Sequence, residues 1–216
     1  MRPFYRVCRL LCQAFFLSVC RGRAFGVRNV PTRGGVLLVC NHQSFFDPVL
    51  ATLALPRECA YMARDSLFRT RVFRALIEAL NAFPIKRGTA DLGAIRETLR
   101  RLKAGALITA FPEGTRTQDG SIGPLLPGII LVARRANVPI VPAVILGAYE
   151  AWPRGRRFPR LGRIRVAYGR PIDPQGLRGQ SDEACVALVR AQIVALKERF
   201  DVHENQKAGG ASPTNP

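Results

Sequence analysis

The sequence has no C-x-x-C pair and no group of histidines and cysteines at metal-ligand spacing, although it carries six cysteines, Cys8, Cys12, Cys20, Cys40, Cys59 and Cys185. Zinc-ribbon and disulfide-framework designs are thereby disfavoured, and the scattered apolar settings of these thiols imply a reducing compartment. No G-x-S-x-G elbow surrounds Ser44, which argues against a serine hydrolase nucleophile there. No apolar run approaches the roughly 20 residues that a spanning helix needs. No A-x-A-like cleavage site follows the N-terminal apolar stretch. Acid is missing locally as well: residues 1–46 hold seven arginines and not one carboxylate.

What the chain does have is positive charge. Its formal net charge is +18 and its pI is near 11.1, so the expected partner is anionic: nucleic acid, anionic lipid or a phosphorylated substrate. Only four of the 33 basic residues are lysine, a bias that codon composition alone can also produce. No aromatic RNA-binding motif, helix-turn-helix pattern or zinc spacing accompanies the charge, so nucleic acid is not expected. A second acid-free run, residues 151–172, holds seven more arginines interleaved with Trp152 and Phe158. It reads either as a phosphate or lipid-headgroup surface or as a solvated loop.

At 216 residues and 23.8 kDa, with no linker inside it, the chain is expected to form one domain. Residues 1–28 read as a basic amphipathic membrane-associating segment. Arg2, Arg6, Arg9 and Gln13 fall within an arc of roughly 60° on one side of a helix whose remainder is aromatic and aliphatic. Such a helix suits the headgroup boundary of an anionic leaflet and predicts a peripheral or monotopic protein at the cytoplasmic face, although packing on the protein's own core gives the same pattern. Residues 29–200 form the expected catalytic domain, and residues 201–216, rich in Gly, Ser, Pro and Asn, are expected to be disordered.

The chemistry centres on Gly34-Gly35-Val36-Leu37-Leu38-Val39-Cys40-Asn41-His42-Gln43-Ser44-Phe45-Phe46-Asp47-Pro48. Residues 36–40 read as a buried strand, His42 follows its end, and Asp47-Pro48 reads as a capped helix start. A carboxylate on one imidazole nitrogen fixes the tautomer and leaves the other nitrogen free to take a proton. This is a general-base dyad with no nucleophile of its own. The competing reading is a hydrogen-bonded loop histidine and an aspartate that only caps a helix.

Further strands are expected near residues 59–62, 83–85, 106–111, 139–146 and 163–168. Helices are expected at 47–55, over Phe68, Val72, Leu76 and Leu80 with a cap at Asp65, over Leu92 to the stop at Gly105, at 128–137, and after a Ser181 cap. Alternating strands and helices predict an α/β fold with a mixed, mostly parallel sheet flanked by helices. The C-terminal ends of parallel strands share one edge. Three loops arrive there: Asn41 to Asp47, Lys86-Arg87, and Glu113-Gly114-Thr115-Arg116. Together they offer a base, two or three cations and a carboxylate, which suits a substrate bearing both a phosphate and a reacting hydroxyl.

These residues resemble the phospholipid/glycerol acyltransferase family, whose best-known members are the 1-acylglycerol-3-phosphate acyltransferases. Asn41-His42-Gln43-Ser44-Phe45-Phe46-Asp47 is similar to its N-H-x-x-x-x-D signature, and Phe111-Pro112-Glu113-Gly114-Thr115-Arg116-Thr117 to its F-P-E-G-T-R-S block. Phe83-Pro84-Ile85-Lys86-Arg87 and Val138-Pro139-Ile140-Val141-Pro142 resemble its second and fourth blocks, in the family's order. The resemblance implies that His42, held by Asp47, deprotonates an acceptor hydroxyl that attacks the thioester of acyl-CoA or acyl carrier protein. No acyl-enzyme, metal or other cofactor is then required. It also implies that Glu113, Gly114, Thr115 and Arg116 bind the glycerol phosphate of lysophosphatidic acid, that Lys86 and Arg87 meet its phosphate, and that Val138, Pro139, Ile140, Val141 and Pro142 lie near the acyl chain.

The chain departs from the pattern at Asn81, where the second block often opens with glycine, and at Leu126-Pro127, where many members carry lysines before the glycine matching Gly128. Another lyso-lipid, such as a lyso-ornithine lipid, offers its hydroxyl to the same dyad. The rival readings are a basic membrane- or nucleic-acid-binding protein without chemistry, and a hydrolase using Ser44.

Overall fold

In the computed structural model, residues 2–86, 91–160 and 162–209 are described, with side chains through Phe200. A seven-stranded sheet has the spatial order β1 (Arg23–Phe25), β7 (Arg165–Tyr168), β6 (Ile140–Leu146), β2 (Val36–Cys40), β5 (Leu107–Ala110), β3 (Cys59–Arg64) and β4 (Ala82–Ile85). The five strands from β6 to β4 are mutually parallel, and β7 with its parallel neighbour β1 runs against them. The α/β class and the mostly parallel sheet are as expected. The three-residue β1 is too short to carry a periodic signal and was not foreseen in the sequence.

All five residues of β2 are buried, as a strand covered on both faces requires. Its side chains alternate between two cores. Leu37 and Val39 join residues of α4 (Leu92–Lys103), α5 (Gly128–Ala136) and α7 (Asp182–Gly209). Val36, Leu38 and Cys40 face Phe16 of α1 (Pro3–Ser18), α2 (Asp47–Leu53) and α6 (Ala148–Ala151). Gly35, just before β2, is required by a close approach: a Cβ there would stand 2.2 Å from the Leu102 carbonyl oxygen.

Local chemistry sets the helix starts. The Asp91 carboxylate accepts from the Ala94 amide at 3.0 Å and opens α4, while Ser181 Oγ accepts from the Ala184 amide at 3.1 Å and opens α7. α7 continues to Gly209, beyond Asp201, where the sequence placed the start of the tail, and residues 210–216 lie outside the described residues. The segment expected as one helix from Asp65 splits into a 3-10 turn at Asp65–Phe68 and α3 (Arg71–Ala79). Asn81 has φ +69°, a left-handed conformation that asparagine tolerates better than most residues, which accounts physically for a position where glycine would serve.

The basic strip of α1 is oriented differently from the expectation. Arg9 Nε and Gln13 Nε2 donate to the Leu53 carbonyl at 3.2 and 2.7 Å, and Arg2 contacts Glu58 and Asn81. Leu53 ends α2, where unsatisfied carbonyls and the negative dipole end attract donors and cations. The strip therefore docks α1 on the domain, with Tyr5 and Phe16 buried beside it, and Phe4, Val7, Leu10, Leu11, Phe15 and Leu17 are turned outward. Among the described residues, no helix is long and apolar enough to cross a membrane.

Candidate active site

β2 delivers Asn41 and His42 at the sheet's C-terminal edge. Asn41 is fully buried and pairs with the main chain of β6 in both directions, donating to the Ile145 carbonyl at 3.0 Å and accepting from the Ile145 amide at 2.8 Å. The chain then turns into α2, and Asp47 closes the turn. One oxygen, Oδ2, lies 2.8 Å from His42 Nδ1 and accepts from the Gln43 and Ser44 amides at 2.5 and 2.6 Å. Asp47 is thus the first residue of α2 and not its cap, because its carboxylate points back to the preceding loop. A carboxylate only accepts, so the shared proton belongs on Nδ1 and Nε2 carries the lone pair.

His42 is held from three further directions. Its amide donates to Glu113 Oε1 at 2.8 Å, its carbonyl accepts from the Thr117 amide at 2.8 Å, and its ring stacks on Phe111 with centroids 4.4 Å apart. Glu113 Oε2 accepts from the Gly123 amide at 3.2 Å, so both oxygens of this carboxylate engage main chain. Burial pushes the Glu113 carboxyl above its usual range, and the His42 and Gly123 amides pull it partly back. Glu113 therefore clamps the loop after β5 to the loop after β2.

Ser44 Oγ donates to the Trp152 carbonyl at 2.9 Å, and the side chain is fully buried. The hydroxyl is committed to structure, which argues against the nucleophile reading. Gly114 and Thr115 are exposed, and Thr115 Oγ1 accepts from Arg154 at 3.4 Å. The Arg116 guanidinium lies 3.5 Å above the Phe45 ring.

His42 and Arg116 open on a cavity of about 540 Å³, within the size range of small-molecule sites. Val49 and Leu53 of α2, Met62 of β3, and Phe73, Ile77 and Leu80 in and just after α3 give it apolar walls. Its cations are Arg9, Arg64 and Arg116. A chain of hydroxyls crosses the wall: Tyr5 OH lies 3.1 Å from Tyr61 OH, which lies 2.6 Å from Thr52 Oγ1. Burial holds the Tyr61 phenol well above its ordinary value, so it stays neutral.

Two of the three expected loops meet here. Lys86 does not line the cavity, although Ala82 of the strand before it, β4, does, and the exposed Lys86 amide donates to Asp91 at 2.8 Å. Arg87 lies outside the described residues. Arg64, at the C-terminal end of β3, reaches the cavity instead and was not singled out in the sequence; its only signal was a strand-end position like that of His42. Val138, Ile140 and Val141 are core residues, Pro142 pairs with Val39 within the sheet, and no residue from Val138 to Pro142, Pro139 included, lines the cavity.

Residues 23–146 match the family model described as Acyltransferase, a span that contains His42, Asp47 and the Glu113 to Arg116 block. This chain belongs to the acyltransferase family. It is 28% identical over 185 residues to the 1-acyl-sn-glycerol-3-phosphate acyltransferase of Bacillus subtilis, covering 85% of this chain and 88% of that one. The Streptococcus pneumoniae protein of the same name is 29% identical over 182 residues, covering 83% and 65%. Against the chloroplastic relative BAT2 of Brassica napus, 29% identical over 151 residues, the chain spans 44% of the relative's length and 68% of its own. The crystal structure of the 1-acyl-sn-glycerophosphate (LPA) acyltransferase PlsC from Thermotoga maritima superposes with a TM-score of 0.70 at 25% identity, covering 91% of this chain and 84% of that one. The chain is accordingly an acyltransferase. In this acyltransferase α1 lies outside the matched span, yet Tyr5, Cys8, Arg9 and Cys12 form part of the cavity wall.

Proposed function

We propose that this acyltransferase moves a fatty acyl group from acyl-CoA or acyl carrier protein to the free hydroxyl of 1-acylglycerol-3-phosphate, giving phosphatidic acid. The observation that carries the reading is the His42–Asp47 dyad on the wall of a cavity that combines apolar surface with three arginines. His42 Nε2 takes the acceptor hydroxyl's proton as its oxygen attacks the thioester carbonyl. The C–S bond then breaks, the thiolate leaves, and the proton passes to sulfur. Asp47 stabilises the imidazolium in between, and no acyl-enzyme is formed. Arg116 and Arg64 supply guanidinium forks for the acceptor's phosphate, and the apolar walls take its acyl chain. The outward apolar face of α1 and the net charge of +18 support a peripheral seat on an anionic leaflet at the cytoplasmic face.

The test is mass-spectrometric detection of phosphatidic acid from lysophosphatidic acid and acyl-CoA, with wild type, His42→Ala and Arg116→Lys in parallel. Wild type forms product and His42→Ala forms none. Arg116→Lys raises KM about tenfold or more, because a point charge replaces a planar fork stacked on Phe45. Product from a lyso-ornithine lipid and none from lysophosphatidic acid would refute the acceptor while leaving the dyad's role in place.

A further inference from the structure

α3 is a nine-residue helix without a single buried side chain. At about 100° per residue, Phe73, Ile77 and Leu80 share one strip roughly 60° wide, and Val72 and Leu76 form an adjoining strip roughly 40° wide. The first strip faces the cavity. The second does not line it, and Val72 is 82% and Leu76 41% exposed. A helix serving only as a cavity wall needs the first strip alone. The second strip is exposed, and the exposed Arg69 and Arg71 flank it, while Arg74 is paired with Glu78 at 2.8 Å.

We infer that α3 is a second bilayer-contacting element, seating the Val72–Leu76 strip among lipid chains beside the cavity mouth. Three observations choose lipid over a protein partner. The strip is continuous with the apolar cavity wall, so a lyso-lipid would pass along α3 without entering water; this step rests on the lyso-lipid reading above. The outward apolar face of α1 lies on the other helix that walls the same cavity, and Arg2 joins the two by contacting Asn81 just after α3. The flanking charge is arginine, which complements anionic headgroups. α1 and α3 then hold the cavity against the leaflet from two sides.

The test compares wild type with Val72→Ser/Leu76→Ser in sedimentation with phosphatidylglycerol–phosphatidylethanolamine vesicles. These side chains belong neither to the cavity nor to the core, so the thermal melt and the turnover of a hexanoyl lysophosphatidic acid supplied as dissolved monomer stay unchanged. Vesicle partition falls by about a hundredfold or more, the scale set by withdrawing two aliphatic side chains from an apolar phase. Val72→Ile/Leu76→Met keeps wild-type partition. Unchanged partition of the serine variant overturns the inference, as does a solution dimer that the same substitutions dissolve, which would assign the strip to a second copy. If wild type makes no product from any lyso-lipid while partition still responds to the substitutions, the proposed function fails and the bilayer contact stands.

Discussion

His42 Nδ1 stands 2.8 Å from Asp47 Oδ2, and the oxygen that orients the imidazole is the one that also fastens the Gln43 and Ser44 amides. Orientation of the imidazole and the shape of its loop thus depend on a single atom. Asp47→Asn is expected to lower kcat by roughly a thousandfold to ten-thousandfold, since an amide facing Nδ1 can favour the wrong tautomer. Asp47→Ala adds a stability loss of about 1–3 kcal/mol, because buried amides lose their acceptor. Steady-state kinetics beside thermal melts separates the two effects.

Glu113 gives a pH signature in which activity and stability move in opposite directions. Its carboxyl sits above the usual range because it is buried, so the folded chain binds this proton more tightly than the unfolded chain. The stability contribution is therefore complete below the unfolded value and is lost as pH rises through the raised folded value. Relative to Glu113→Gln, the wild type gains stability as pH falls through that window. Activity declines over the same window, because a neutral acid accepts more weakly than a carboxylate from the His42 and Gly123 amides, and most weakly at its hydroxyl oxygen. Paired pH profiles of kcat/KM and of melting temperature check the crossing, and a parallel fall of both would contradict it.

Ser44→Ala retains most of its acyl transfer. The hydroxyl's partner is the Trp152 carbonyl, so the variant loses about 1–2 kcal/mol of stability while the amide that holds Asp47 is untouched. Abolished activity in a folded variant would restore the nucleophile reading.

Gln13→Leu removes one of the two side-chain donors to the Leu53 carbonyl and is expected to release about 1 kcal/mol of α1 docking. Hydrogen exchange should rise across α1 and leave the sheet amides unchanged.

The His42–Asp47 pair was legible because strand, loop and helix start occupy consecutive residues, whereas Glu113 reaches the His42 amide only through the pairing of β2 with β5. Chain order does not reveal strand order: β3 lies beside β5 and β4 outside it, so the sequence could not show that Arg64, and not only Lys86, stands at a strand end on the edge that carries His42. The side that α1 presents was undetermined for a similar reason. Amphipathicity shows that two faces differ, and only the Leu53 carbonyl decides that Arg9 and Gln13 turn inward. The three-residue β1 and four-residue α6 are shorter than any period that could announce them.

The reciprocal pairing of Asn41 with Ile145 has a dynamic meaning. A side chain here extends the ladder between β2 and β6 by one rung, so the His42 loop can open only when the centre of the sheet opens with it. Local fraying, which sets the motional freedom of most loops, is closed to this one. Opening of the cavity therefore falls to α1 and α3, the walls that bury least, while the His42 loop keeps a fixed address.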